Sequence, residues 1–289
     1  MDKKIEKIEK IEFNPDLHLV TKSNALIEKA RMKFSAMQQR IIHAALTQIP
    51  KGSELKSNVF YQIPLSVIAD MAGQEIGGIF YKRSISAART LRTATMVLKT
   101  YPDGSGREKT LECSIVQSIE YGDGELGIRF NEDAIPYLSG LKNSFTQYSV
   151  SGDLLHMDSA YAYRLHDLIA RWGDLGTKEI SVDDFRWMMG IDEGKYLIFS
   201  DFRKRVIEPA IREINEHSQY ILKVGYRREK KRVVALQFAF TMKSDTVKKK
   251  GGDIRYITRS DVEKEGLARP GESWEQCIAR LKKSKIIVK

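Results

Sequence analysis

Cysteine is nearly absent from this chain, which has two among its 289 residues. Cys113 and Cys277 lie far apart, and neither has a cysteine or a histidine beside it. This scarcity argues against a disulfide framework and against the ligand spacing of a zinc finger. We therefore expect a protein that folds in the reducing cytoplasm, without structural disulfides and without a metal site.

Long apolar runs are missing as well. No stretch approaches the roughly 18 apolar residues that a membrane-spanning helix needs. Residues 3–12 repeat Lys, Glu and Ile, where a secretory signal would have its apolar centre. A membrane is therefore not an expected partner, and residues 1–16 are interpreted as a polar N-terminal extension with frayed ends.

Catalytic motifs are equally scarce. The five histidines include no pair at the spacing of metal ligands, and no phosphate-binding loop of the G-x-x-x-x-G-K-[ST] kind occurs. Residues 122–127 (GDGELG) match a dinucleotide fingerprint by letter, but the residues that follow predict a strand, where that fold needs a helix. We therefore predict no enzymatic activity and no cofactor.

One structural plan is present twice. Residues 65–73 (LSVIADMAG) form a short amphipathic stretch, followed by a long basic helical pattern over 80–98 and then by two strand-like runs, 111–121 and 126–130. Residues 180–190 (ISVDDFRWMMG) begin the same series again. A short helix, a longer basic helix and a hairpin are the outline of a winged helix. The predicted fold class is therefore α+β, with tandem, pseudo-duplicated winged-helix domains.

The positive charge is concentrated on these two units. The net charge of the chain is +10. Residues 80–110 carry seven basic and two acidic side chains, and residues 203–232 carry ten basic and four acidic. The two segments together hold more than the whole excess, so the rest of the chain is close to neutral. Such a distribution favours contact with nucleic-acid phosphates over a diffuse solubility coat.

Helical spacing predicts which side chains face the DNA. In the first long helix a polar stripe lies opposite the apolar face and comprises Lys82, Ser86, Arg89 and Thr93. In the second, Phe202, Val206, Ala210 and Ile214 mark the buried side, Ser200 is the expected N-cap, and Pro209 should kink or break the helix. Because recognition helices contact bases near their N-termini, we favour Lys204 and Arg205, and Arg203 at the edge of the apolar side.

The second hairpin carries a basic run at its turn. Its members are Arg227, Arg228, Lys230, Lys231 and Arg232. A hairpin tip that follows the DNA backbone favours phosphate contacts over base reading. The alternative is that these charges only protect a strand edge.

The predicted organisation has four parts. These are the extension 1–16, a first winged-helix domain 17–150 that also serves dimerisation, a second winged-helix domain 151–245 that is the main sequence reader, and a linker with a C-terminal tail, 246–289.

Several segments resemble plasmid replication initiators of the Rep 3 (RepB-like) superfamily. They are residues 19–27 (LVTKSNALI), 34–42 (FSAMQQRII), Tyr196, Phe199, 201–210 (DFRKRVIEPA) and 213–215 (EIN). The resemblance covers roughly residues 17–242, and it is most specific over 201–215.

The resemblance implies a function in bacterial plasmid replication and copy-number control. It implies binding of a monomer to direct repeats (iterons) in double-stranded origin DNA, opening of the origin, and recruitment of the host replication initiator and helicase. It also implies that a dimer represses the initiator's own gene. The alternatives are a winged-helix transcriptional repressor that binds an inverted repeat without melting DNA, and a nicking initiator enzyme, which the histidine pattern disfavours.

Overall fold

The predicted order of helices and strands is largely present in the structure, a computed structural model that describes residues 8–50, 52–100, 108–139 and 144–243. In the C-terminal tail it describes residues 255–257, 262, 274, 277–278, 281 and 286–288. Residues 102–106 (PDGSG), whose composition predicts a turn, and residues 248–252 (KKKGG), which predict the linker within 246–289, lie outside these residues.

The elements of the first half run in this order: β1 (Glu9–Ile11), β2 (Leu19–Ser23), α1 (Asn24–Lys29), β3 (Ala30–Met32), α2 (Ala36–Thr47), β4 (Val59–Pro64), α3 (Leu65–Ala72), α4 (Gly78–Leu91), β5 (Thr95–Thr100), β6 (Lys109–Ser114), β7 (Val116–Gly122), β8 (Glu125–Phe130), a 3₁₀ turn (Ile135–Tyr137) and β9 (Phe145–Ser149).

The second half continues with α5 (Val150–Asp153), α6 (Ala160–Trp172), a 3₁₀ turn (Gly173–Leu175), β10 (Thr177–Ser181), α7 (Val182–Met188), α8 (Phe199–Phe202), a π-helical segment (Arg203–Ile207), α9 (Glu208–His217), β11 (Tyr220–Glu229) and β12 (Arg232–Met242). The tail contributes β13 (Arg255–Ile257) and β14 (Ile286–Val288), which pair in parallel.

Two winged helices follow from this order. In the first, α2, β4, α3 and α4 precede the antiparallel hairpin β5–β6. In the second, α6, β10, α7 and the helical stretch 199–217 precede the hairpin β11–β12, and β10 completes the sheet in the order β10-β12-β11. The predicted fold class is therefore confirmed.

The sheets around the two hairpins differ. In the second unit the strand before the short helix, β10, pairs with the wing strand β12. In the first unit β4 joins a separate sheet in the order β1-β4-β8-β7, and β3 takes the place beside the wing in the order β3-β5-β6. The duplication is thus one of helices and hairpins, and the sheet partners are exchanged.

One hydrophobic core runs through both winged helices. It extends without interruption from Val20 to Phe240, and α2 lies so deep that every residue from Met37 to Thr47 is buried. Ser35 caps α2 with a reciprocal pair of hydrogen bonds to Gln38, the capping box that a Ser followed three residues later by Gln can form. Residues through Phe240 form one compact unit, and the division at 150/151 stays a prediction.

One predicted segment is wrong in type, and the wing hairpin of the first unit is displaced along the chain. The helix predicted over 80–98 ends at Leu91, and Thr95–Thr100 is the first wing strand. Met96 and Leu98 are buried while Val97 is only half-buried, which is the two-residue alternation of a strand. The hairpin of the first unit is therefore β5–β6. The predicted strand 111–121 covers the end of β6 and most of β7, and the predicted strand 126–130 lies within β8, so these two strands belong mainly to the next hairpin, β7–β8.

The polar extension also joins the fold in part. Glu9–Ile11 pairs in parallel with Val59–Tyr61 of β4, so the frayed tail predicted for residues 1–16 is wrong for these three residues. Lys10 holds Glu120 of β7 at 2.6 Å across that sheet. No helix among the described residues is both long and apolar enough to cross a bilayer.

A buried polar cluster ties β2, α2, β9 and α6 together. Lys22 Nζ lies 3.0 Å from both carboxylate oxygens of Asp167 and 3.0 Å from His43 Nε2, and Tyr148 donates to Asp167. His43 Nδ1 donates to the Gln39 carbonyl at 2.6 Å, which leaves Nε2 as the acceptor. Burial, with the Lys22 ammonium beside it, lowers the pKa of His43 to about 3. Burial alone would raise the pKa of Asp167, but Lys22 and its other neighbours hold it at about 2.

The cluster should make the fold sensitive to mild acid. In the unfolded chain His43 takes up a proton below about pH 6.5, whereas in the fold it stays neutral until about pH 3, so stability is lost as pH falls through that window. Between pH 6.5 and 5.5 we expect the free energy of unfolding of the wild type to fall by about 1 kcal/mol more than that of the His43→Gln variant. Denaturant unfolding of both proteins at both pH values measures these free energies. An equal decrease in the two proteins would contradict the prediction.

Candidate nucleic-acid interface

The first recognition helix, α4, presents the predicted stripe to solvent. Phe80, Ser84, Ile85, Ala88 and Leu91 are buried, and they leave Lys82, Ser86 and Arg89 exposed on the opposite side. Lys82 and Ser86 line a cleft of about 640 Å³ with Arg83 and the first turn of α2. Three of the four stripe residues thus lie together on one exposed helix face.

Two members of the stripe need correction or refinement. Thr93 lies beyond the end of α4, so it is not part of the helical stripe. Its hydroxyl donates to the Thr90 carbonyl at 3.1 Å. Arg89 donates to the hydroxyl of Tyr121 on β7, and its guanidinium stands 5.2 Å from the centre of that ring. Arg89 is therefore held by a neighbouring strand at the end of the helix, and Lys82 and Ser86 are nearer its start.

The second recognition helix is one stretch with a π-helical turn inside it. Phe202, Val206, Ala210 and Ile214 are fully buried, as the helical spacing predicts. The N-cap is Ile198, and the prediction of Ser200 is wrong. Pro209 lies in the first turn of α9, directly after the π-helical Arg203–Ile207. Proline has no N–H to donate, and its ring crowds the preceding turn of a helix. The wider π-helical turn accommodates Pro209, so the helix continues where the sequence predicts a kink or a break.

The predicted base readers fall on this π-helical turn. Lys204 and Arg205 are exposed, and Arg203 is half-buried, with its Nε 3.2 Å from Glu208. A cleft of about 730 Å³ opens beside them and is lined by basic side chains of three elements, Arg186, Arg203, Arg228, Lys231 and Arg232. The recognition helix and the wing of the second unit therefore share one positively charged surface.

Arg186, which no sequence argument singled out, fixes the approach to this helix. Its guanidinium donates to the carbonyls of Lys195 and Tyr196 and stands 4.9 Å from the Phe202 ring. Tyr196 has a positive φ of 49°, which few residues other than Gly or Asn adopt. The side chain of Arg186 thus pins a strained turn immediately before the recognition helix.

The wing of the second unit carries the predicted basic run in full. Arg227, Arg228, Lys230, Lys231 and Arg232 are all exposed at the end of the hairpin. Arg227 differs from the rest, because Glu179 lies 2.9 Å away and Glu229 2.7 Å away. Hydrogen bonds from Gln237 and Arg227 in turn lower the pKa of Glu179. The charge of Arg227 is therefore already paired, whereas no carboxylate among the described residues pairs with Arg228 or Lys231.

The turn of this wing carries an extra positive charge at a cost in stability. β11 and β12 are joined by Lys230 and Lys231 alone, and Lys230 has a φ of 53°, where a lysine is strained. We expect Lys230→Gly to stabilise the protein by about 0.5–1 kcal/mol. It should also reduce the slope of the logarithm of the DNA-binding constant against the logarithm of the salt concentration by about one, as the loss of one phosphate contact does. Thermal unfolding and a salt titration measure the two effects. A variant that binds as before would show that Lys230 touches no phosphate.

The loop before the second recognition helix rests on the first unit. At Gly190 (φ 68°) a Cβ would collide with the carbonyl oxygen of Met32 on β3, so only glycine fits. Asp192 binds Lys33 at 2.6 Å and Arg31 at 3.2 Å, and its pKa is lowered by these partners, Lys33 first. Lys99 of the first wing stands 5.4 Å from the Trp187 ring of α7. These contacts hold the second helix-turn-helix against β3 and β5.

Sequence reasoning missed two further kinds of residue. Arg83 is exposed next to the stripe but was not among its predicted members. Exposed aliphatic side chains at the helix starts were not predicted either, since the sequence pattern assigns apolar residues to the core.

Within the part of the chain that the structure describes, no group of three His, Cys, Asp or Glu side chains is arranged to hold a metal ion.

Comparison with known proteins gives two family matches. A family described as "Initiator Replication protein, WH1" matches residues 19–170, and one described as "Initiator Rep protein, WH2" matches residues 181–240. Together they span both winged helices, and the first alone covers more than half of the chain.

Three solved structures are similar to this chain to different degrees, and the first shares its fold. The Pi initiator protein, in a crystal structure with iteron DNA, superposes with a TM-score of 0.65 at 20% identity, over 80% of this chain and 100% of that one. Domains 2–3 of RctB give 0.37 at 12% identity, over 64% and 76%. The WH1 domain of MSBI1.176, a replication protein isolated from a multiple sclerosis patient, gives 0.26 at 19% identity, over 39% and 78%.

Proposed function

Because this chain belongs to the Rep 3 family of replication initiator proteins, we propose that it binds direct repeats in a plasmid origin as a sequence-specific, non-enzymatic initiator. The observation that carries the proposal is the repeated winged helix, with exposed basic side chains on both recognition helices and on the second wing. The fold is shared with the Pi initiator, whose crystal structure contains iteron DNA, and this supports the same kind of site here.

Each unit would read one segment of major groove. The groove admits one α-helix, and base edges are contacted from the N-terminal part of that helix, where Lys82 lies in α4 and Lys204 and Arg205 lie in the second recognition helix. Ser86 lies one turn after Lys82 on the same face of α4. Arg228 and Lys231 of the second wing would follow the adjacent phosphates. Since Asp192 and Gly190 hold the second unit on β3, one molecule would read two neighbouring segments at a fixed spacing.

Self-association would select between two kinds of DNA. One chain already carries two readers, so a monomer suits a direct repeat, whereas a two-fold dimer suits an inverted repeat. Among the described strands, β7 lies at an edge of its sheet, and it offers a surface where a second copy can pair. We propose that the dimer forms through the first unit and represses the initiator's own gene through the second. Recruitment of the host initiator and helicase belongs to the same proposal.

Footprinting on the DNA that flanks the gene tests the function. We expect protection of adjacent direct repeats of about 20 base pairs, one helical segment per recognition helix. Sedimentation on a single repeat should give one molecule per duplex, and sedimentation on an inverted repeat should give two. Protection of an inverted repeat alone would favour a plain winged-helix repressor, and metal-dependent cleavage of supercoiled origin DNA would favour a nicking enzyme.

A further inference from the structure

Large aliphatic side chains stand in solvent at the start of both recognition helices. In the first unit Ile76 and Ile79 are 54% and 77% exposed, and Ile79 is the second residue of α4. In the second unit Leu197 and Ile198 are 79% and 65% exposed, and Ile198 is the N-cap of α8. Exposed aliphatic surface is unfavourable in water, so the same placement in two units points to a shared use.

The surroundings of these side chains identify the occupant as duplex DNA. Leu197 and Ile198 line the cleft of about 730 Å³ that also holds Arg203, Arg228 and Lys231. Ile79 lies one turn before Lys82 on the same helix. An apolar protein partner would leave these cations without counter-charges, whereas DNA offers phosphates and an apolar group within one groove. That apolar group is the C5-methyl of thymine, which projects into the major groove.

We propose that Ile79, Leu197 and Ile198 determine sequence specificity by contacting thymine methyl groups, one set in each unit. The proposal rests on the DNA-binding function argued above and adds what the basic residues cannot read. Arginine recognises guanine through hydrogen bonds, but it does not distinguish thymine from a base without the methyl group. Burial of one methyl group against an aliphatic side chain changes affinity about three- to fivefold.

Deoxyuridine substitution tests the proposal directly, because uracil pairs as thymine does and lacks only the methyl group. The probe is the direct-repeat duplex found by footprinting, made with deoxyuridine at one thymine position at a time. We expect a three- to fivefold loss of affinity at the contacted positions and none elsewhere. Ile79→Ala and Ile198→Ala should each weaken binding to the unmodified repeat about as much, and each should abolish the deoxyuridine penalty at its own positions.

Leu175→Ala is the matched control, because Leu175 is an aliphatic side chain 60% exposed in the 3₁₀ turn before β10, outside both recognition helices. It should keep both the affinity and the deoxyuridine penalty. A penalty of the same size in wild type and variants, or no penalty at any position, would overturn the proposal while repeat binding stands. Loss of self-association with an unchanged penalty would assign the surface to a protein partner. Binding to the unmodified repeat no tighter than to random duplex would refute the proposed function itself.

Discussion

Raising the salt concentration from about 50 to about 200 mM should weaken binding to the direct repeat by roughly 10³- to 10⁵-fold. Two recognition helices and the second wing would neutralise on the order of 6–10 phosphates, and each neutralised phosphate releases a condensed counterion. The logarithm of the association constant should therefore fall linearly with the logarithm of the salt concentration. Fluorescence anisotropy with a labelled repeat measures the slope, and a flat response would contradict the role given to the basic residues.

The second wing supplies an internal control for this prediction. Arg228→Ala should reduce the slope by about one, because the described structure pairs Arg228 with no carboxylate. Arg227→Ala should reduce it less, since Glu179 and Glu229 already neutralise that guanidinium in the free protein. Equal reductions would mean that Arg227 leaves both glutamates when DNA binds.

The winged-helix plan could be predicted because it depends on local signals. The buried side of the second recognition helix and the cap at Ser35 follow from spacing and from side-chain chemistry within a few residues. The strand Thr95–Thr100 could not be predicted in the same way. Its partners are Ala30–Met32 and Lys109–Ser114, and pairing with distant strands outweighed the weak helical pattern that runs on from α4.

The candidate interface was predictable to a similar extent. Exposure of Lys82, Ser86, Lys204 and Arg205 follows from helix geometry, and the structure has them exposed. The pairing of Arg227 with Glu179 joins residues 48 positions apart across the sheet, and that of Arg89 with Tyr121 joins residues 32 positions apart. The residue pattern within a single helix or strand cannot predict contacts between residues of different elements. They decide which cations remain available to phosphates, so charge counts alone overstate the interface.

Arg205 should be a base reader, and its replacement should damage specificity more than general affinity. If its guanidinium binds a guanine edge, Arg205→Ala costs about 1–3 kcal/mol on the direct repeat, or roughly 5- to 150-fold in affinity. Binding to random duplex should fall much less, because there the substitution removes only one electrostatic attraction to the phosphates. The measured quantity is the ratio of the two dissociation constants at one salt concentration.

Arg212→Ala is the matched comparison for Arg205→Ala. Both arginines are exposed on the outer side of the same helical stretch, but Arg212 lies in the middle of α9, seven residues further from the N-terminus. Base edges are reached from the N-terminal part of a recognition helix, so Arg212→Ala should weaken repeat and random duplex alike. Arg89→Ala, in the other unit, should alter a separate part of the footprint. If Arg205→Ala also leaves the ratio unchanged, its charge serves the backbone, and sequence reading in the second unit must come from Lys204 or from the aliphatic side chains ahead of it.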